Sequence, residues 1–378
     1  MVTRTLLVAD GFPPRRSGAG ELMAGLATRM SGPDGGGAVV LTSCLPHGGE
    51  ARSQHGGDER WPFTVVRDRA PVLLPTRRVA RRATGLLRDH GCDRVVLSMP
   101  LGPLARGLRA AGAREVIIVT GGREPRWARP PGLRVLLRRA VAGADVVTCP
   151  SVSARVWWER VLAADPRVRP ARLAPGVDTD AFRPGRDGAE VREHYRLGEG
   201  PVVLTACRLV RRAGVDALIR AVTWLRIRHP GVRLVVAGEG PDEKRLRALA
   251  AWAGVADEVV FAGGRPHGGL PSLCAAADVF ALPSRSPSGS GGPDTACLEA
   301  AASGLPVVVG SFGPAPEAVR HGETGFAVDG RDPREVADRI GLLLAHPKIA
   351  RAMGELGRER VLREWTWEHM LSAVTRSP

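Results

Sequence analysis

Two glycine-rich turns carry the first chemistry in this chain. Phe12-Pro13-Pro14-Arg15-Arg16-Ser17-Gly18-Ala19-Gly20 follows the apolar run Leu6–Ala9 and precedes a helical pattern. Small residues there let backbone amides approach a ligand, and a helix N-terminus favours anions. Gly238-Glu239-Gly240-Pro241 closes the run Leu234–Ala237 and has the make-up of a turn that holds a nucleotide ribose or pyrophosphate. Each is equally compatible with an ordinary connection between strand and helix. A third pattern is charge: Arg77, Arg78, Arg81, Arg82 and Arg88 recur at helical spacing beside Val79, Leu86 and Leu87. A basic amphipathic helix suits an anionic membrane surface, where each basic residue contributes about 1 kcal/mol. The same pattern also suits a solvated helix face.

These segments need a frame to position them, and the apolar runs supply it. Leu6–Ala9, Val39–Leu41, Val95–Leu97, Val116–Val119 and Val146–Val147 predict buried strands in the first half. Helical patterns over Glu21–Met30, Arg77–His90, Leu104–Ala111 and Arg134–Ala142 lie between them. The second half repeats the design with Val202–Ala206, Leu234–Ala237, Val259–Phe261, Val279–Leu282 and Val307–Val309. Continuous apolar strands indicate parallel sheets covered on both faces. The alternation predicts an α/β chain of two Rossmann-like, doubly wound domains facing an interdomain cleft, where a small-molecule site is expected. Pro, Gly and Asp gather between Ala174 and Gly188, which places the break at 184/185. The expected domains are 1–184, 185–355 and a helical segment 356–378 packing back on the first. Ser284–Gly292 is low in complexity and is expected to be a mobile loop.

At 378 residues the chain is long enough for two cores. Its charge is uneven: residues 1–184 hold 29 arginines against 16 acidic residues, +13 of the chain's +15. Such a basic half implies an acidic partner. Nucleic acid is set aside, because aromatic residues are only 4% and no recognition motif occurs. The six cysteines show no C-x-x-C spacing, so buried reduced thiols of a cytosolic protein are expected rather than disulfides or a zinc site. Asp10 interrupts the first apolar run after four residues, which reads as a strand and not a signal peptide. No run approaches the 18 apolar residues of a membrane span.

Taken in order, the motifs resemble a known family. FPPRRSGAG (12–20), LAPGVDTDAFRP (173–184), CRLVRRAGVDALIRA (207–221), VVAGEGP (235–241), ADVFALPS (277–284), LEAAASGLPVV (298–308) and GETGFAV (322–328) resemble the GT-B-fold family 4 retaining glycosyltransferases over nearly the full length. FPPRR, LAPGVDTDAFRP, DGRDP (329–333) and REWTWE (363–368) point within that family to the actinobacterial GDP-mannose-dependent phosphatidylinositol mannosyltransferases. The resemblance implies transfer of a hexose, mannose from GDP-mannose, with retention to a phosphatidylinositol-type glycolipid. It implies no metal or other cofactor, and a cytoplasmic protein peripheral on the inner face of the plasma membrane. Arg208 would stabilise the departing diphosphate. Glu299, the amides of Thr295 and Ala296, and the turn at Gly238 and Gly240 would serve the donor. Arg15, Arg16, Ser17 and Gly18 would face the acceptor, and Arg77, Arg78, Arg81 and Arg82 the membrane.

Three signature positions depart from the family. Ala213 stands at a lysine position, Gly121 at a histidine position, and Gly291 at the first glutamate of the pair that ends in Glu299. Arg212 is a candidate substitute for the missing cation, since its planar fork binds phosphate oxygens well. Asp294 is the nearby carboxylate for the missing glutamate. One lost charged hydrogen bond costs about 1.5–3 kcal/mol. Two rival readings follow: a secondary-metabolite glycosyltransferase acting on a small soluble acceptor, or an inert nucleotide-sugar-binding protein.

Overall fold

The computed structural model describes residues 3–14, 18–32, 37–44, 58, 61–121, 131–163, 165, 167–173, 176–264, 269–285 and 294–375. The chain divides into two compact units, Met1–Leu173 with Leu371–Pro378, and Ala174–Met370.

In the first unit run β1 (Thr5–Ala9), helix Gly18–Met30, β2 (Ala38–Ser43), β3 (Thr64–Asp68), helix Arg77–Asp89, β4 (Arg94–Ser98) and helix Ala105–Ala110. They are followed by β5 (Glu115–Val119), helix Pro131–Val141, β6 (Val146–Cys149), helix Val152–Leu162 and β7 (Arg169–Arg172). The strands form one parallel sheet in the order β3-β2-β1-β4-β5-β6-β7. All five residues of β1 are buried, because helices cover both faces of the sheet. The chain runs outward from β1 to β3 and then returns across to β7. Right-handed crossovers therefore put Gly18–Met30 on one face and the later helices on the other. Helix Arg77–Asp89 starts where the Thr76 hydroxyl accepts the Val79 N–H, and it buries Val79, Ala83 and Leu87 at four-residue spacing.

The second unit holds helix Ala189–His194, β8 (Val202–Ala206), helix Val215–Arg228, β9 (Arg233–Ala237), helix Glu243–Trp252, β10 (Val259–Gly263) and helix Leu270–Ala276. Then come β11 (Val279–Leu282), helix Thr295–Ala302, β12 (Val307–Gly310), β13 (Gly325–Val328), and helices Pro333–Ala345 and Pro347–Glu364, while helix Trp367–Thr375 starts in this unit and from Leu371 belongs to the first. This sheet is also parallel, in the order β10-β9-β8-β11-β12-β13. The predicted pair of Rossmann-like domains is present.

Several expectations need correction. The unpredicted β3, β7 and β13 are edge strands; most residues of β3 and β7 are only partly buried, and β7 has the sequence RPAR. An edge strand need not be a continuous apolar run, so the pattern that reveals central strands misses it. Helix Val152–Leu162 also escaped, although it buries Ala154, Trp158, Val161 and Leu162. The break falls at 173/174 rather than 184/185, because Val177 N–H bonds to the Trp365 carbonyl and Phe182 is buried in the second core. Helix Pro347–Glu364 belongs to the second unit and does not begin a separate segment at 356. Its Val361 lies in the second core, and Arg358 donates to the carbonyls of Phe182 and Ala302. All six cysteines are free thiols, four of them buried.

Gly354 marks where that helix meets the turn before β12. A Cβ there would lie 1.9 Å from the Gly304 carbonyl oxygen, which is backbone and cannot rotate away. Gly354→Ala should lower unfolding stability by about 1–3 kcal/mol in urea titration.

Candidate functional site

Parallel sheets bind ligands outside the carboxyl ends of their strands, where the strand order reverses. In the second unit that point lies between β8 and β11, which diverge toward opposite edges of the sheet. The segment leaving β8 is held from both sides. Cys207 N–H bonds to Ala237 O, Leu209 N–H to Glu239 O, and Asp242 N–H to Leu209 O, at 3.0, 3.0 and 3.2 Å. Leu209 is fully buried, so its neighbour Arg208 projects the other way and is exposed. Among the described residues the Arg208 guanidinium has no hydrogen bond or ion pair. A cation held by its backbone and left unpaired is suited to an anionic ligand.

Gly238 and Gly240 have a packing reason of their own. A Cβ on Gly238 would sit 1.9 Å from the Cys207 carbonyl oxygen, and one on Gly240 2.2 Å from that of Leu209. Gly238 also has φ +131°, a conformation that other residues rarely adopt. The two glycines let the turn after β9 lie directly on the backbone that carries Arg208. Asp242 closes the turn with a two-pronged ion pair to Arg245, at 2.7 and 2.6 Å.

Helix Thr295–Ala302 begins beside this segment. Asp294 is its N-cap residue, but its side chain makes no capping bond. Among the described residues nothing accepts the N–H groups of Thr295 and Ala296. Two open N–H donors at a helix N-terminus attract an anion. Crowding by protein raises the Asp294 carboxyl above the usual aspartate range, and the Arg212 cation opposes that rise. Solvent nevertheless reaches the residue, which limits the size of the shift. Burial pushes the Cys207 thiol up to about 12, with Asp294 adding to the rise. Cys207 and Arg212, on either side of Arg208, thus both lie within the field of Asp294. Glu299, one turn further along the helix, is buried at 4% exposure. Its charge adds to the burial that pushes the Cys274 thiol up to about 12.

The departures from the family pattern have distinct physical outcomes. Ala213 is buried in the second core and ends a 3-10 turn, Arg211–Ala213, in which Arg211 and Arg212 are exposed. Arg285 pins that turn. It donates its N–H to the Arg212 carbonyl at 2.8 Å and its Nε to Gly330 O at 2.8 Å, and it pairs with Asp216. Arg212 therefore stands on a held turn with its exposed cation in the field of Asp294, and position 213 faces the core. Gly291 lies outside the described residues.

In the first unit, Gly18 opens helix Gly18–Met30, while Arg15, Arg16 and Ser17 lie outside the described residues. The backbone leading into that loop is firmly built. Phe12 is buried against Trp61 and Phe63, with ring centroids 5.3 and 6.3 Å away. Arg67 grips Asp58 through two 2.8 Å bonds and donates to Pro13 O at 2.6 Å. The sequence reading missed this clamp, because its members are dispersed and no local pattern joins them. Gly121 follows β5, and an added Cβ there would meet nothing within 4 Å among the described residues. Of the four helical arginines, Arg78 and Arg82 pair with the buried Asp68, whereas Arg77 and Arg81 make no ion pair among the described residues.

A family model described as "Glycosyl transferases group 1" matches residues 189–360. The chain is 40% identical over 380 residues to a GDP-mannose-dependent alpha-(1-6)-phosphatidylinositol monomannoside mannosyltransferase of Mycobacterium tuberculosis, covering 99% of this chain and 97% of that one. It is 32% identical over 380 residues to a GDP-mannose-dependent monoacylated alpha-(1-6)-phosphatidylinositol monomannoside mannosyltransferase of Corynebacterium glutamicum, with 98% and 97% covered. Among solved structures it is similar in fold to Anabaena HepE in complex with UDP and glucose, with a TM-score of 0.74, 18% identity and 96% of each chain covered.

The Asp242–Arg245 pair makes the turn after β9 sensitive to acid. Hydrogen bonding to Arg245 lowers the Asp242 carboxyl below the usual range. A lowered carboxyl stabilises the fold above its unfolded value, about 3.9, and loses that contribution as pH falls through the folded value. Asp242→Asn should be less stable than wild type at pH 7, with the gap closing below about pH 4. Urea midpoints of both proteins across pH 3–7 check this.

Proposed function

The chain belongs to the group 1 glycosyl transferases, in the family of the GDP-mannose-dependent phosphatidylinositol monomannoside mannosyltransferases, and on that footing we propose that it transfers mannose from GDP-mannose to a phosphatidylinositol mannoside. The observation that carries this is Arg208 at the switch point of the second sheet, unpaired among the described residues, beside a helix N-terminus whose first two N–H groups have no acceptor among them.

The donor's diphosphate sits against Arg208 and the Thr295 and Ala296 amides. Glu299 holds the ribose. An acceptor hydroxyl attacks the anomeric carbon, the bond to the diphosphate breaks, and negative charge grows on the leaving oxygen. Fixed cations and backbone N–H groups lower the energy of that state without having to reorganise. Arg212 supplies the second cation that Ala213 cannot. The reaction retains anomeric configuration and uses no metal. Asp294 stands as the carboxylate available to the sugar hydroxyls, in place of the glutamate absent at Gly291.

Arg15, Arg16, Ser17 and Gly18, the loop expected to face the acceptor, serve it in this reading. Arg77 and Arg81 meet anionic lipid headgroups directly, while Arg78 and Arg82 are braced by Asp68. The protein works as a peripheral one on the inner face of the plasma membrane. Among the described residues no helix is long and apolar enough to cross a membrane. An inert nucleotide-sugar-binding protein is the competing reading, motivated by Gly121, Ala213 and Gly291.

Arg208→Ala should leave the fold intact and lower kcat for mannosyl transfer about a hundredfold to a thousandfold, read with radiolabelled GDP-mannose and phosphatidylinositol mannoside. Wild-type protein that binds GDP without turning over any nucleotide sugar would establish the inert reading instead. Arg212→Ala should cost roughly tenfold or more in kcat, and Arg212→Lys should recover part of it.

A further inference from the structure

Helix Arg77–Asp89 has charge to offer a membrane but little apolar surface. Its Val79, Ala83 and Leu87 are buried in the first core. Electrostatic attraction alone is weakened by salt, so a lasting membrane contact needs apolar insertion as well. The first unit exposes such a surface elsewhere.

Five of the twelve exposed large apolar side chains among the described residues fall on two short helices, Pro131–Val141 and Val152–Leu162. Leu133, Val135 and Leu136 are 40%, 39% and 57% exposed, and Val152 and Val156 are 50% and 40%. Leu133 and Leu136 stand three residues apart, on one flank of their helix. Val152 and Val156 stand four apart on the next. The two helices pack together and lie on the same face of the first sheet as Arg77–Asp89. Helix Pro131–Val141 holds no acidic residue and carries Arg138 and Arg139, both exposed.

We propose that the surface of helices Pro131–Val141 and Val152–Leu162 is an apolar anchor that inserts into an anionic lipid bilayer, with Leu133 and Leu136 entering the interface. The proposal deepens the lipid-acceptor reading and rests on it. Charge chooses the occupant. A second copy would set Arg138 and Arg139 against like charges, whereas anionic headgroups neutralise them while the leucines leave water. The division of labour is physical: Arg77 and Arg81 attract over a Debye length, and the leucines hold at contact.

The test compares full-length wild type with Leu133→Ser/Leu136→Ser, both sites being exposed and so safe for the fold. Binding to phosphatidylglycerol-containing vesicles is read by cosedimentation at 50 and 300 mM salt. The double variant should bind roughly tenfold or more weakly at 300 mM salt. Its transfer rate to a short-chain, water-dispersed acceptor should be unchanged. Ile227→Ser/Trp252→Ser is the control, since these are exposed apolar side chains of the second unit, 74% and 79% exposed. Wild-type vesicle binding by Leu133→Ser/Leu136→Ser, or an equal loss in the control, overturns the proposal. So does a wild-type dimer that the double variant breaks, or capture of an acidic protein by wild type without vesicle binding. Absence of transfer by wild type on every acceptor would sink the lipid-acceptor reading, whereas the vesicle result is read without turnover.

Discussion

The backbone contact between the segments leaving β8 and β9 decides where the chemistry of the second unit stands. Hydrogen bonds carry the pairing of these strands beyond their ends, from Cys207 to Asp242. That pairing demands a backbone approach that only glycine allows at 238 and 240. Its result is an arginine whose position is set before any ligand arrives. With Leu209 anchored on the core side, the backbone that presents Arg208 is already ordered, and only the exposed side chain has rotamer freedom left to lose on binding. The Arg285 bridge fixes the next stretch in the same way, so that Arg212 stands on a held turn.

Arginine does nearly all the cationic chemistry in this protein, because only Lys244 and Lys348 are lysines. The arginines divide by partner rather than by sequence neighbourhood. Arg245, Arg285 and Arg67 are spent on buried or half-buried carboxylates and carbonyls, and they hold turns in place. Arg358 lies where burial lowers its pKa, and backbone carbonyls take its hydrogen bonds. Arg208 makes no such bond among the described residues, which leaves it available to a ligand there. Arg78 and Arg82 belong to both groups: they lie on an exposed helix and are tied to a carboxylate with 1% exposure. A charge count cannot separate these cases, because a paired arginine and an unpaired one contribute equally to it.

The altered signature positions are also unlike one another once their surroundings are known. Position 213 faces the second core, where a charged side chain would need a path to water. Position 121 is open, and its glycine leaves space beside the end of β5. Taken as bare substitutions, both look like lost function. In place, the first is a core position beside an exposed arginine, and the second meets no other group among the described residues.

The sequence alone determined the two-sheet architecture, because central parallel strands are buried on both faces and must be continuous apolar runs. It also determined the motif order that identifies the family, since Arg208, the Gly238–Gly240 turn and Glu299 are each local patterns. It did not reveal the edge strands β3, β7 and β13, because an edge strand is covered by fewer neighbours, and β7 even tolerates arginine and proline. Nor could it reveal the break at 173/174, which depends on Val177 meeting Trp365 nearly two hundred residues later. The Arg67–Asp58–Pro13 clamp, the Arg285–Asp216 pair and the Asp68 brace were decided by tertiary structure for the same reason. A hydrogen bond depends on distance in space, and these partners are brought together only when distant strands take adjacent places in a sheet.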